Sequence, residues 1–181
     1  MAKDAIIFSA APGVGKTTVA LGLRSQFGWP YLELGRIRMT YLDPQWKTEN
    51  PREAQMSFEI LCHMIHRFAD YGLKHTMALD LFPEHLTQIP SRLTGLDYLI
   101  ISLGVKDKQV HRSRLLNPAR DSGYRDLERA WAWNNSILSR ELLPHEIVVD
   151  TTDDTVPETV ERVRQIIESQ DGPVGMQGTP L

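Results

Sequence analysis

The run Ile6-Ile7-Phe8-Ser9-Ala10-Ala11-Pro12-Gly13-Val14-Gly15-Lys16-Thr17-Thr18 constrains this chain more than any other stretch. Its apolar opening describes a buried strand. Pro12, Gly13 and Gly15 then interrupt the strand, and the first turn of a helix begins at Lys16. The spacing meets the phosphate-loop pattern Gly-x-x-x-x-Gly-Lys-[Ser/Thr], with Ala10 in place of the first glycine. An alanine fits there provided its φ stays below zero. In such a loop the backbone N–H groups of Ala11, Gly13, Val14, Gly15, Lys16, Thr17 and Thr18 turn towards phosphate oxygens. Lys16 can reach the β- and γ-phosphates, and the Thr17 hydroxyl can enter a Mg²⁺ shell. ATP and Mg²⁺ are therefore the expected cofactors.

The rest of the chain alternates strand and helix patterns. Strands are expected at 5–10, 30–34, 75–81, 98–103 and 146–150. Helices are expected at 16–27, 51–71, 106–116, 124–142 and 155–169. Gly28 suits the position just past the first helix. Asn50-Pro51-Arg52-Glu53 and Thr155-Val156-Pro157-Glu158 both look like capped helix starts. The predicted fold is α/β: a five-stranded, mainly parallel sheet flanked by helices, with an arginine-bearing helical lid. One domain is expected over 1–170, with the lid at about 106–125 and a disordered tail at 171–181, rich in Gly and Pro.

The chain has 181 residues, 41% of them hydrophobic and 24% charged, the balance of a soluble globular protein. Its formal charge of -3 offers no general attraction to nucleic acid or to an anionic membrane. Apolar runs such as Tyr98-Leu99-Ile100-Ile101 are too short to span a bilayer. Met1-Ala2-Lys3-Asp4 shows no secretory leader, and a single cysteine suits a reducing compartment. A cytoplasmic location is expected, with a small-molecule acceptor as partner, neither nucleic acid nor membrane, and a monomer or homodimer.

In a parallel sheet, ligands collect outside the carboxyl ends of the strands. Three features fall there: the phosphate loop, residues 33–38 and Asp80. Asp80 closes the apolar run Thr76-Met77-Ala78-Leu79, where a carboxylate can hold the Mg²⁺ shell or accept a proton from a substrate hydroxyl. Glu33, ending the second strand, is the rival base. Arg36 and Arg38 stand where an acceptor would be held, and Tyr41 and Trp46 can wall its pocket. Phosphoryl transfer spreads negative charge over equatorial oxygens. Arg112, Arg114, Arg120 and Arg125 can meet that charge, on a segment broken by Asn117-Pro118 and Gly123 in the manner of a hinged lid. His63 and His66 have no third ligand in sight, and Cys62 reads as a small buried group. Trp131 and Trp133 cannot share one helix face.

With these parts the chain resembles the small P-loop kinases, the group of shikimate, gluconate and nucleoside monophosphate kinases, and within it the chloramphenicol phosphotransferase-like branch. The resemblance rests on Ala10 to Thr18, on Leu99 to Leu103 with the arginine-bearing helix and Arg120-Asp121-Ser122-Gly123, and on Ile147-Val148-Val149-Asp150-Thr151-Thr152. It implies that Gly13, Gly15, Lys16, Thr17 and Thr18 bind phosphate. It also implies that Arg112, Arg114 and Arg120 are lid arginines and that Thr152 and Asp153 lie beside the adenine ring. Two departures stand out. Glu33-Leu34-Gly35-Arg36 replaces an expected Asp after the second strand, and Arg112 and Arg114 are two apart rather than four.

A kinase is the first functional reading. The second is a nucleotide-gated module that rearranges its lid for a protein partner. The Asn-Lys-x-Asp sequence of GTP switches is absent.

Overall fold

The computed structural model describes residues 1–38, 50–120 and 122–171. In chain order the elements are β1 (Ala5–Ala10), α1 (Lys16–Phe27), β2 (Tyr31–Glu33), α2 (Leu34–Arg38), α3 (Pro51–Asp70), β3 (Thr76–Leu79), α4 (Pro83–Leu86), α5 (Ile89–Arg92), β4 (Tyr98–Gly104), α6 (Lys108–Leu115), α7 (Leu127–Ser139), β5 (Glu146–Asp150) and α8 (Val156–Gln170). All five strands are parallel, in the order β2-β3-β1-β4-β5. The carboxyl ends of the strands therefore share one edge.

Alternation along β1 divides the core. Ile6 and Phe8 face the layer that holds Val19, Ala20 and Leu23 of α1 and Val160, Val163 and Ile167 of α8. Ala5 and Ile7 face Phe58, Leu61, Cys62 and Ile65 of α3, with Leu86, Ile89 and Leu93. A strand covered on both sides has no solvent-facing side, which is why β1 runs apolar from Ala5 to Phe8 without polar alternation, and why Ser9 after it is also buried. Ile6, Ile7 and Phe8 are wholly buried, and each contributes roughly 1.5–3 kcal/mol of transfer free energy.

Local capping sets the helix boundaries. Asn50 Oδ1 accepts from the N–H of Arg52 at 3.0 Å and of Glu53 at 3.4 Å. Thr155 and Glu158 close a reciprocal capping box. The Gly28 N–H ends α1 on the Arg24 carbonyl at 2.9 Å. The helices expected at 106–116 and 124–142 start later, at Lys108 and Leu127, because the carboxylates of Asp107 and Asp126 cap them. β3 stops at Leu79 because Asp80 takes a left-handed conformation, φ 66°. Asp171, placed at the head of the tail by sequence, closes α8. Its carboxylate accepts from the Lys3 N–H at 3.0 Å and lies 3.0 Å from His75 Nε2. Residues 172–181 lie outside the described residues. Among the described residues, no helix is long and apolar enough to cross a membrane.

One buried carboxylate secures the edge of the sheet. Glu146 in β5 binds Arg140 through two bonds, 2.7 and 2.5 Å, and accepts from the Leu143 N–H at 2.8 Å and from the Ser102 hydroxyl. Burial pushes this carboxyl up, but the bonds from Arg140, Ser102 and Leu143 outweigh it and hold the group below its ordinary value of 4.5. Glu146→Ala leaves Arg140 without its partner and is expected to lower unfolding free energy by about 3 kcal/mol in a urea titration. A carboxyl depressed in the folded state stabilises fully above its unfolded value. That contribution is lost as pH falls below 4.5 and through the folded value. The wild-type advantage over Glu146→Ala is therefore expected to shrink in acid.

Candidate active site

Ala10 is paired with Leu103 of β4 and keeps a negative φ, so the alanine fits where a glycine is usual. The chain then turns through Gly13, φ 88°, and Gly15, φ 112°. These left-handed values re-aim successive N–H groups, and an L side chain would be strained at either position. The Val14 N–H bonds the Ala11 carbonyl at 3.3 Å, closing the turn. Gly15 precedes α1 and supplies no side-chain cap, and space beside its Cα is open. The first N–H groups of α1 thus face the loop without a side-chain acceptor, the arrangement that favours an anion.

Lys16 and Asp80 meet. The Lys16 ammonium forms an ion pair with Asp80 Oδ1, its side chain 15% exposed and that of Asp80 31%. Parallel pairing of β1 with β3 brings them together, since Ile6 lies opposite Met77 and Ile7 opposite Ala78. Thr17 is half-buried in the first turn of α1, and Thr18 is exposed. Thr17 and Asp80 offer oxygen donors of the hard type that Mg²⁺ takes.

Residues 33–38 complete the same edge. Glu33 accepts from the Tyr31 hydroxyl at 3.0 Å and from Arg36 Nε at 2.8 Å. Burial, the bond to Glu33 and the charges of Glu33 and Asp80 push the Tyr31 phenol well above its usual range. A Cβ added at Gly35 would lie 3.4 Å from Asp80 Oδ2, so the start of α2 rests against that carboxylate. Arg36 is exposed. The Arg38 guanidinium sits 5.7 Å over the Phe82 ring, and its buried Nε has no hydrogen-bond partner. Phe82 in turn stacks on Trp133 at 6.2 Å. Tyr41 and Trp46 lie outside the described residues.

The arginines of 106–125 diverge. Arg112 is exposed on α6. Arg114 faces the other way, as two residues on a helix stand about 200° apart. It donates to Thr151 Oγ1 at 3.0 Å and to the carbonyls of Thr151 and Thr152 at 2.7 and 3.2 Å. It therefore binds the loop after β5. Arg120 Nη1 donates to the Leu115 carbonyl at 2.7 Å, and Arg125 Nη1 to the Ser122 carbonyl at 2.5 Å. Asp121 lies outside the described residues. Thr152 Oγ1 donates to Asp150 Oδ1 at 2.5 Å and accepts from the Lys106 N–H at 2.8 Å, while Asp153 is exposed.

Sequence reasoning missed His111 and Tyr31. His111 is buried and its Nε2 lies 2.7 Å from the Pro12 carbonyl. Its spacing of four from buried Leu115 was a usable signal of a shared helix face. Trp131 lies against His111 at 5.7 Å between ring centres, so the two tryptophans do face different neighbours. His66 Nε2 pairs with the Arg92 carbonyl at 2.9 Å. Burial drives the Cys62 thiol up to about 11.

Gly13 has a second constraint. A Cβ there would fall 2.9 Å from Leu115 Cβ and 3.0 Å from its Cα. Gly13→Ala combines that overlap with an unfavourable φ and is expected to cost about 2 kcal/mol, read as a melting shift of several degrees.

The fold is that of the small P-loop kinases. No family model matches the sequence, and no curated protein does. Solved structures do match. The tunicamycin resistance protein of Deinococcus radiodurans superposes with a TM-score of 0.63 at 18% identity, covering 93% of this chain and 95% of its own. Shikimate kinase from Bacteroides thetaiotaomicron gives 0.62 at 12% identity, over 91% and 98%. A gluconokinase from Sinorhizobium meliloti gives 0.61 at 11% identity, over 94% and 97%.

Proposed function

We propose that this chain is a phosphotransferase that moves the γ-phosphoryl group of Mg·ATP to a hydroxyl or phosphate of a small molecule. The observation that carries the reading is the meeting of Lys16 and Asp80 at the mouth of the phosphate loop. When bound, Mg·ATP would supply the phosphoryl group. The N–H groups of Ala11, Gly13, Val14, Gly15, Lys16, Thr17 and Thr18 bind phosphate oxygens, and the Lys16 ammonium neutralises charge on them. The Thr17 hydroxyl and the Asp80 carboxylate hold the metal. Arg112 and Arg120 bring positive charge to the transferring group. Thr152 and Asp153 stand beside the adenine ring, in a loop that Arg114 holds. Glu33, Arg36 and Arg38 bind the acceptor. A carboxylate, Asp80 or Glu33, takes the proton of an acceptor hydroxyl.

The test is ATP consumption against sugars, nucleosides, nucleotides and antibiotics, with Lys16→Ala as blank. One acceptor class is expected to raise ADP release above the blank. A chain that binds no ATP at millimolar ligand with Mg²⁺, measured by calorimetry, would refute the reading.

A further inference from the structure

A loop whose N–H groups converge on an anion turns carbonyls the other way, and each buried outward carbonyl needs a donor. At Pro12 the donor comes from α6. His111 Nε2 lies 2.7 Å from the Pro12 oxygen, and because a carbonyl only accepts, that nitrogen carries the hydrogen. The ring is wholly buried, and its Nδ1 has no hydrogen-bond partner. Burial, opposed by the Pro12 bond and reinforced by the charges of Arg114 and Arg120, lowers the pKa of this imidazole. One turn along the helix, Leu115 covers Gly13 so closely that a Cβ there would overlap it. Trp131 of α7 backs the imidazole. Arg114, between these two contacts, ties the same helix to the loop after β5.

We propose that His111 is a positioning residue for the phosphate loop, holding the Pro12 carbonyl outward so that the 13–15 backbone faces an anion before nucleotide arrives. It acts through the loop and touches no reacting atom. Helix α6 is thereby a fixed seat joining the phosphate loop to the 151–154 loop. The role in catalysis rests on the nucleotide reading above; the role in shaping the loop does not.

The test compares His111→Phe, which keeps a flat ring without the donor, with His111→Gln, whose amide N–H can reach the carbonyl. The first readout is amide hydrogen exchange at Val14, whose N–H closes the loop on the Ala11 carbonyl at 3.3 Å, in the ligand-free protein. Exchange is expected to quicken by about tenfold in His111→Phe, the loss of one buried hydrogen bond, and to stay near wild type in His111→Gln. The second is the calorimetric Kd for Mg·ATP, expected to weaken about tenfold in the first variant and under about threefold in the second. A His111→Phe protein that melts like wild type, with unchanged exchange and unchanged Kd, overturns the proposal. If that variant does not fold, His111→Ala, which adds no volume, carries the same comparison. If the wild type binds no ATP, the nucleotide reading fails, and the exchange comparison still decides whether His111 holds the loop.

Discussion

Lys16→Ala is expected to lower phosphoryl transfer by about a thousandfold or more while the protein still folds. A single preorganised donor aimed at developing charge is worth about 10²–10³ in rate, and a lysine ammonium adds a full charge to the bond it makes. Stability is a separate matter. The Lys16–Asp80 pair is open enough to water, with Asp80 31% exposed, that its net worth is at most about 1 kcal/mol. Activity and melting temperature are therefore expected to separate, the first collapsing and the second moving little. Lys16→Arg is not expected to restore the rate, since a planar fork cannot replace a compact ammonium in a loop shaped around it. Wild-type turnover in the alanine variant would remove the phosphate loop from the chemistry.

Asp80→Asn is the second large effect, a fall in kcat of about 10²-fold or more. The substitution is well chosen for its backbone. Asp80 has φ 66°, a conformation that asparagine shares readily and alanine does not. The amide variant is expected to keep the fold, whereas Asp80→Ala carries a backbone penalty of roughly 1–2 kcal/mol. Magnesium separates the two roles. A metal holder gives a rise in the Mg²⁺ concentration needed for half activity. A base gives a fall in kcat with the Mg²⁺ requirement unchanged, and Glu33→Gln provides the comparison. A rate unaffected by Asp80→Asn would leave this residue as the turn that ends β3.

Much of the fold is legible along the chain because its signals are local. The strand and glycine loop at Ile6 to Thr18, the Asn50 cap and the Thr155–Glu158 box each act within a few residues of themselves. The capping carboxylates of Asp107 and Asp126 are equally local but escaped notice. Each stands a few residues inside a helical pattern, where it delays the start rather than announcing it. The divergence of Arg112 and Arg114 follows from their spacing, yet only the loop at Thr151 explains where Arg114 goes.

The order of strand and helix, the glycine turn at 13–15 and the two-sided burial of β1 all belong to the chain's own pattern, because backbone preference and apolar periodicity are properties of neighbours. That Lys16 and Asp80 stand at one edge of the sheet belongs to it too, but their direct contact across 64 positions does not. Nor does the bond from His111 to Pro12, across 99 positions. Both depend on which strand lies beside β1 and which helix covers the loop. Packing of the whole sheet sets that choice, since a strand buried on both faces shows the same apolar run wherever it pairs.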